Sequence, residues 1–397
     1  MKIAGVIAEY NPFHNGHALQ LQQLRQLGYT HIAVAMGGNF LQRGSAAVCS
    51  KQLRAQMALE NGADLVVELP LSWACAPAQR FAAGGVAILE ALGCQTIAFG
   101  SECGNLDLLQ QAAQATQSDK VAHLTQQLMK DGRTFAAARQ AAMAQLYPAD
   151  VAAVFDNPND NLCVEYLLAL QNQHSHMEPL ALQRVGAAHD TAQVSEGIAS
   201  ASHIRRLLEE GCWEEACGLM PPSAWNILRS ALANNRAPAE LRRAESAVLA
   251  KLRSMTAHDF AALPDVSEGL ENRLYDAARH ACSLEEFYQL AKTKRYTLAR
   301  IRRLTTAAFL GLHKAELPDL PPYLRVLGFT QQGTELMSAA KQKNALPLSH
   351  SLSRLEELGG EAAVTARLEA ASTDLYHLMT PVPLPCGEDY SAKVISL

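Results

Sequence analysis

The sequence has no apolar stretch approaching the roughly 20 residues a membrane span requires. It has no CxxC pair among its nine cysteines, no fixed-period repeat and no low-complexity tract. Charge is sparse, at 18% of residues, and nearly balanced: 34 basic against 39 acidic side chains give a net charge of −5. These absences exclude a membrane protein, a disulfide-built secreted mini-domain and a fibre. Extended disorder is excluded by a hydrophobic content of 49%. The scattered thiols, Cys212 and Cys217 included, argue for reduced cysteines in a cytoplasmic protein rather than for a zinc site. Overall charge does not point to nucleic acid, but binding depends on where the charge sits. There is also no GxxxxGK[ST] phosphate loop, and no GxGxxG after the first apolar run.

What is present is a pattern. At ~150 residues per domain, 397 residues suggest two or three domains. Apolar runs at 3–10, 31–38, 63–70 and 94–102 alternate with helical spacing at 17–28, 50–61 and 79–92. Leu21, Leu24 and Leu27 mark one helix, Ser50 caps the next, and Gly93 closes the third. The N-terminal run reads as a buried strand and not as a signal peptide. Short β-rich runs between helices predict an α/β fold with a parallel sheet covered by helices on both faces. Residues 105–147 read as helices, Asn157-Pro158 opens another, and 178–186 is a further strand. Ser200 caps a helix that Gly211 ends, and the pattern beyond is mainly helical. We expect a first domain over 1–211 and a mainly helical region over 212–397, with a small mixed segment after about 316.

Chemistry concentrates in GVIAEYNPFHNGHALQ, residues 5–20. A strand ends, Asn11-Pro12 turns the chain, and His14 and His17 fall at a helix start. Free N–H donors and partial positive charge gather there. Gly16 lets the backbone approach a ligand closely. Two imidazoles so placed can donate to triphosphate oxygens as charge builds in a transition state. A lone HxxH is also the spacing of a metal half-site or of two surface histidines. HxGH between a buried strand and an amphipathic helix is more specific. It resembles the signature of the nucleotidyltransferase superfamily, to which class I aminoacyl-tRNA synthetases also belong. SASHIRRLL (200–208) is its second mark, with Ser200, Ser202 and Arg205 as possible phosphate contacts.

EYNPFHNGH, GGNFLQRG, NGADLVVELP, FGSECGN, PNDNLCVEYL and KRYTLARIRRL follow in one order and span nearly the whole chain. Together they resemble the bacterial tRNA(Met) cytidine acetate ligase family. The resemblance implies a Rossmann-like HxGH nucleotidyltransferase domain. It implies an ATP-dependent ligase that forms acetyl-adenylate and acetylates N4 of the wobble cytidine of elongator tRNA(Met). ATP would be a substrate, Mg²⁺ would accompany its phosphates, and acetyl-CoA would not be needed. By the same resemblance the ATP loop is Ile7, Ala8, Glu9, Tyr10, Asn11, Pro12, Phe13, His14, Asn15, Gly16, His17, Ala18, Leu19 and Gln20. His14 and His17 are its catalytic pair. Gly100, Asn159 and Arg184 complete the ATP contacts. The chain departs from the family at Asp160 and Asn161, so only Asn159 is carried over there. The loop end GSAAVCSK is less acidic than the family's, which bears on Arg43 and Lys51. No metal ligands are assigned.

Lys292, Lys294, Arg295, Arg300, Arg302 and Arg303 crowd one short stretch around Tyr296. They form a patch suited to a phosphate backbone, which Arg205, Arg206, Arg242 and Arg243 can extend. Taken with the resemblance, which implies tRNA as the partner, the patch would hold the RNA with an unpaired loop base reaching the ATP cleft. Two other readings stay open: an adenylyltransferase acting on a small phosphorylated metabolite, and a non-catalytic RNA-binding protein.

Overall fold

The structure, a computed structural model, describes residues 1–184, 197–267 and 269–397. Strands β1 (Ile3–Ala8), β2 (His31–Gly37), β3 (Leu65–Leu69), β4 (Thr96–Ser101) and β5 (Glu178–Gln183) lie side by side in the order β5-β4-β1-β2-β3. All four pairings among them are parallel, as the alternating pattern predicts. Ile32, Val34 and Met36 of β2 enter one core cluster, and Ala33 and Ala35 enter another. Side chains alternate between faces, and both faces are dry, which is why these runs are continuously apolar. β1 stops at Ala8, two residues before the apolar run does, and residues 185–186 of the expected fifth strand lie outside the described residues.

Helices α1 (Asn15–Gln26) and α2 (Lys51–Glu60) cover one face of the sheet, and α3 (Ala78–Leu92) covers the other. α1 buries Leu21 and Leu24. Leu27, the third member of the expected stripe, is 49% exposed, because it is the C-cap where the chain leaves the helix. Further on come α4 (Phe135–Leu146), α5 (Pro158–Asn172) and α6 (Ala201–Glu209). Helices between residues 245 and 310, ending in α7 (Leu298–Leu310), build a third core around Val248, Leu252, Leu274, Phe287 and Ile301.

The segment beyond residue 316 returns to the sheet. β6 (Leu324–Phe329) pairs antiparallel with β3, and the two-residue strands β7 (Leu348–Ser349) and β8 (Ile395–Ser396) pair parallel with β6. A buried ionic cluster fastens this join. Lys51 Nζ lies 2.6 Å from Glu68 and 2.8 Å from Asp389. Arg325 pairs with the same two carboxylates at 2.9 and 3.0 Å. Glu369, on α8 (Gly360–Tyr376), completes it. Lys51 is fully buried here, so it is not a loop contact. Among the described residues no helix is long and apolar enough to cross a membrane.

Candidate active site

From β1 the chain builds outward through β2 and β3, then crosses back to lay β4 on the opposite flank of β1. The carboxyl ends of β1 and β4 therefore part, and such a switch point leaves a crevice for a ligand. A cavity of about 320 Å³ opens there. The first strand-loop-helix unit lines it with Ile7, Ala8, Glu9, Tyr10, Asn11, His14, His17 and Gln20. Gly100, Asn159, Arg184, Ser200, Ser202 and Arg205 arrive from four other places in the chain.

The remaining loop residues serve the architecture. Phe13 is in the core, and Ala18 packs against it. Pro12 is buried, and Leu19 is half-buried. Asn15 donates to the carbonyls of Gly197 (2.9 Å) and Gly218 (3.2 Å), tying the loop to the chain on either side of the second signature. Gly16 does not line the cavity. A Cβ there would stand 3.0 Å from the His14 ring, so the glycine makes room for an imidazole.

The histidines are wired into the helix start. Gly16 N–H donates to His14 Nδ1 (3.1 Å), and His14 N–H donates to His17 Nδ1 (3.2 Å). Together these bonds make a capping box, with His14 as N-cap of α1. The rings stack with centroids 3.7 Å apart. An Nδ1 that accepts leaves the ring proton on Nε2, so both tautomers are set by the backbone. Among the described residues neither Nε2 has a hydrogen-bond partner. Burial pulls the His14 pKa down to about 3, with Arg184 and Arg205 adding to the effect. Burial, then His14, then Arg184 hold His17 well below its ordinary value. The site thus presents two neutral N–H donors to an anion.

Opposite them, Gly100 is the penultimate residue of β4. A Cβ there would lie 3.1 Å from Arg184 Cγ, so the missing side chain lets the arginine cross the strand end. Arg184 N–H donates to Ser101 O (2.9 Å), continuing the β4–β5 ladder. Asn159 is held by a hydrogen bond to Glu102. Next to it Asp160, where the chain departs from the family, is fully buried. It accepts from Ser101 Oγ (2.6 Å), Glu102 N–H (2.9 Å) and Cys103 N–H (3.1 Å). That carboxylate shapes the turn after β4.

On α6, Ser200 accepts from His203 N–H (3.2 Å), as an N-cap should. Arg205 donates to Asn11 O (2.7 Å) and Ser202 Oγ (3.2 Å), so the second signature grips the first.

Some residues at the site lie outside the set the resemblance assigns to ATP. Gln42, Arg43, Phe81 and Tyr166 also line the cavity. Arg54, fully buried, donates to Cys49 O (3.1 Å) and Gly37 O (3.0 Å), and to the carbonyls of Glu9 and Gly38. It satisfies the backbone where β1 and β2 end. Its one sequence signal was an arginine on the apolar face of α2, beside Ala55 and Ala58. Among the described residues no group of three His, Cys, Asp or Glu is arranged to hold a metal.

The basic stretch divides. Lys292, Lys294, Arg295 and Arg302 are exposed. Arg300 and Arg303 turn toward Asp265, at 3.3 and 3.4 Å. None of the six lines the nucleotide cavity.

The whole chain can be compared with known proteins. The family model "HIGH Nucleotidyl Transferase" matches residues 1–387. A tRNA(Met) cytidine acetate ligase of Syntrophomonas wolfei is 34% identical over 100% of this chain and 99% of its own. One from Syntrophotalea carbinolica is 38% identical over 89% of this chain and 86% of its own. Thermotoga maritima TmcAL superposes over both full chains with a TM-score of 0.93 at 32% identity. The same protein bound with alpha-thio ATP gives 0.92 at 31%. With its signatures in place and its full length matched, this chain belongs to the HIGH nucleotidyl transferases and, among them, to the tRNA(Met) cytidine acetate ligase family.

Proposed function

We propose that this protein is an ATP-dependent ligase that acetylates the wobble cytidine of elongator tRNA(Met), working in the cytoplasm where that RNA resides. An acetate oxygen attacks the α-phosphorus of ATP, and pyrophosphate leaves. The N4 amine of cytidine then attacks the acyl carbon of acetyl-adenylate. AMP leaves, and the amine gives up a proton. Acetate is the nucleophile in the first step, so no side chain need form a covalent intermediate. The enzyme's contribution is positioning and charge stabilisation.

The observation that carries this reading is the stacked His14–His17 pair, with both Nε2 donors unengaged at the mouth of the β1/β4 crevice. An entering triphosphate supplies the acceptors. Arg205 and Arg184 add fixed positive charge, suited to pyrophosphate and to the nucleotide. Gly100 and Asn159 suit adenosine at the strand end. Mg²⁺ commonly binds through one or two carboxylates plus substrate phosphates, and Glu9 is a carboxylate on this cavity. Glu9 would hold the ion beside the phosphates, where it would supply charge compensation. Residues 1–211 carry the nucleotide chemistry, and 212–397 contribute tRNA contacts, including those of the basic stretch.

The purified protein should exchange labelled pyrophosphate into ATP when acetate is present. With tRNA it should form N4-acetylcytidine, detected by nucleoside mass spectrometry. Acetyl-CoA should not replace ATP and acetate. Exchange supported by a phosphorylated metabolite, and not by acetate, would establish the adenylyltransferase instead.

A further inference from the structure

A second cavity, of about 970 Å³, adjoins the nucleotide site. Gln42, Ala78, Pro158 and Asn161 line both, so the two share a wall. Its far side is made by the start of α4 and by the start of α7 with the residues before it. Six cations line it: Arg80, Arg139, Arg295, Arg300, Arg303 and Lys314. Three carboxylates face them: Glu165, Asp265 and Asp319. Arg139 is paired with Glu165 at 2.7 Å, and Arg300 and Arg303 share Asp265. An excess of positive charge is left in a chain that is acidic overall. At the edge stands Phe135, 47% exposed, with the Arg139 guanidinium 5.3 Å from its ring centroid.

A large exposed aromatic ring among arginines is how single-stranded nucleic acid is held. Bases stack on the ring and phosphates meet the cations. We propose that this cleft is the RNA side of the active site. It takes the unpaired nucleotides flanking the acceptor cytidine, with Phe135 stacking one base and Arg295, Arg303 and Lys314 facing backbone phosphates. The proposal rests on RNA being the acyl acceptor, and it adds the route by which a loop base reaches the acyl-adenylate. Charge complementarity and the shared wall select this occupant. A neutral or basic peptide would gain nothing from the cationic excess.

The test uses the full chain and two readouts. One is the affinity for a fluorescent anticodon stem-loop RNA of elongator tRNA(Met). The other is acetate-dependent ATP–pyrophosphate exchange without RNA. Phe135→Ala should weaken RNA binding about 10-fold or more, the scale of one stacked base, and Phe135→Tyr should restore it. Arg295→Gln with Lys314→Gln should weaken binding and make its salt dependence shallower. Exchange should stay within about twofold of wild type in all of them. Wild-type RNA affinity in Phe135→Ala overturns the proposal, and so does an equal loss of exchange. RNA binding that depends on Phe135 without any acetylation supports the cleft and refutes the acetylation reading. Acetylation with Phe135→Ala at full affinity does the reverse.

Discussion

Replacing His17 by alanine removes two things that can be separated. The first is structural. His17 Nδ1 accepts the N–H of His14 in the capping box, and losing that bond costs the scale of a helix cap, about 1 kcal/mol. That lowers the melting temperature by only about 1 °C in a chain of 397 residues. The second is chemical. The Nε2–H is a preorganised donor in a buried site, and removing one such donor costs about 10²–10³ in kcat. Acetate-dependent pyrophosphate exchange should therefore fall by at least about 100-fold in a protein that still folds cooperatively. Acidity supplies a further check. His14 is held at about 3 and His17 is also depressed, so neither gains a proton between pH 6 and 8. The pH profile of kcat/KM for ATP reports the free enzyme, and it should show no imidazole limb there. The sign for stability follows. Below the ordinary histidine value of 6.5 the unfolded chain binds protons that the folded rings refuse. Wild type should thus lose stability as pH falls from about 6.5, and the His14→Ala/His17→Ala double variant should lose less. Near-wild-type exchange in His17→Ala would refute the mechanism. A limb near pH 6.5 that vanishes in the double variant would refute the neutral-donor assignment.

Among the described residues the buried Tyr10 hydroxyl on the nucleotide cavity has no partner, and burial pushes its pKa up, so it keeps its proton. Tyr10→Phe should leave the melting temperature unchanged and reduce kcat/KM for ATP or acetate about 10-fold, the scale of one hydrogen bond to a charged group; unaltered kinetics count against a ligand contact. Asp160→Ala leaves three donors of the post-β4 turn without their acceptor, so stability should fall by about 3 kcal/mol or more in urea titrations, and KM for ATP should rise. Burial, then Glu68, push the Glu369 carboxyl from 4.5 up to about 8. The folded protein therefore keeps a proton that the unfolded chain releases, and stability contributed by Glu369 falls as pH climbs from 4.5 toward 8. Glu369→Gln should flatten that slope, read as urea midpoints at pH 5 and 8; an unchanged slope places the proton elsewhere.

The parallel sheet was legible because each strand buries both faces, so its apolar run is continuous and the intervening helices keep their own period. The HNGH loop was legible for a related reason. Residues that cap a helix and residues that meet an anion are the same kind of group in the same place, and His14 does the first while its Nε2 is left for the second. Gly16 was read as room for a ligand, and its neighbour is the His14 ring. Arg300 and Arg303 were read only as part of a phosphate-binding patch because Asp265, which faces both, lies more than 30 residues away in the chain. Local spacing carries no trace of such a partner. The same holds for β6. Its residues read as part of a mixed segment, but nothing local says that they will pair with β3, some 260 positions earlier.

That pairing bears on how the chain divides. Lys51, the first residue of α2, follows directly on the loop that brings Gln42 and Arg43 to the nucleotide cavity. Its charge is balanced from both ends of the sequence, by Glu68 and by Asp389. Arg325 and Glu369 belong to the same cluster, so two cations meet three carboxylates out of water. A proton on Glu369 makes that set neutral, in keeping with its raised pKa. A buried pair that loses one partner leaves an uncompensated charge, at a cost of about 3–5 kcal/mol. The β3 edge and the start of α2 are therefore completed by residues from beyond 316. The sheet that positions the histidines is thus closed by the far end of the chain, across the expected boundary near 211.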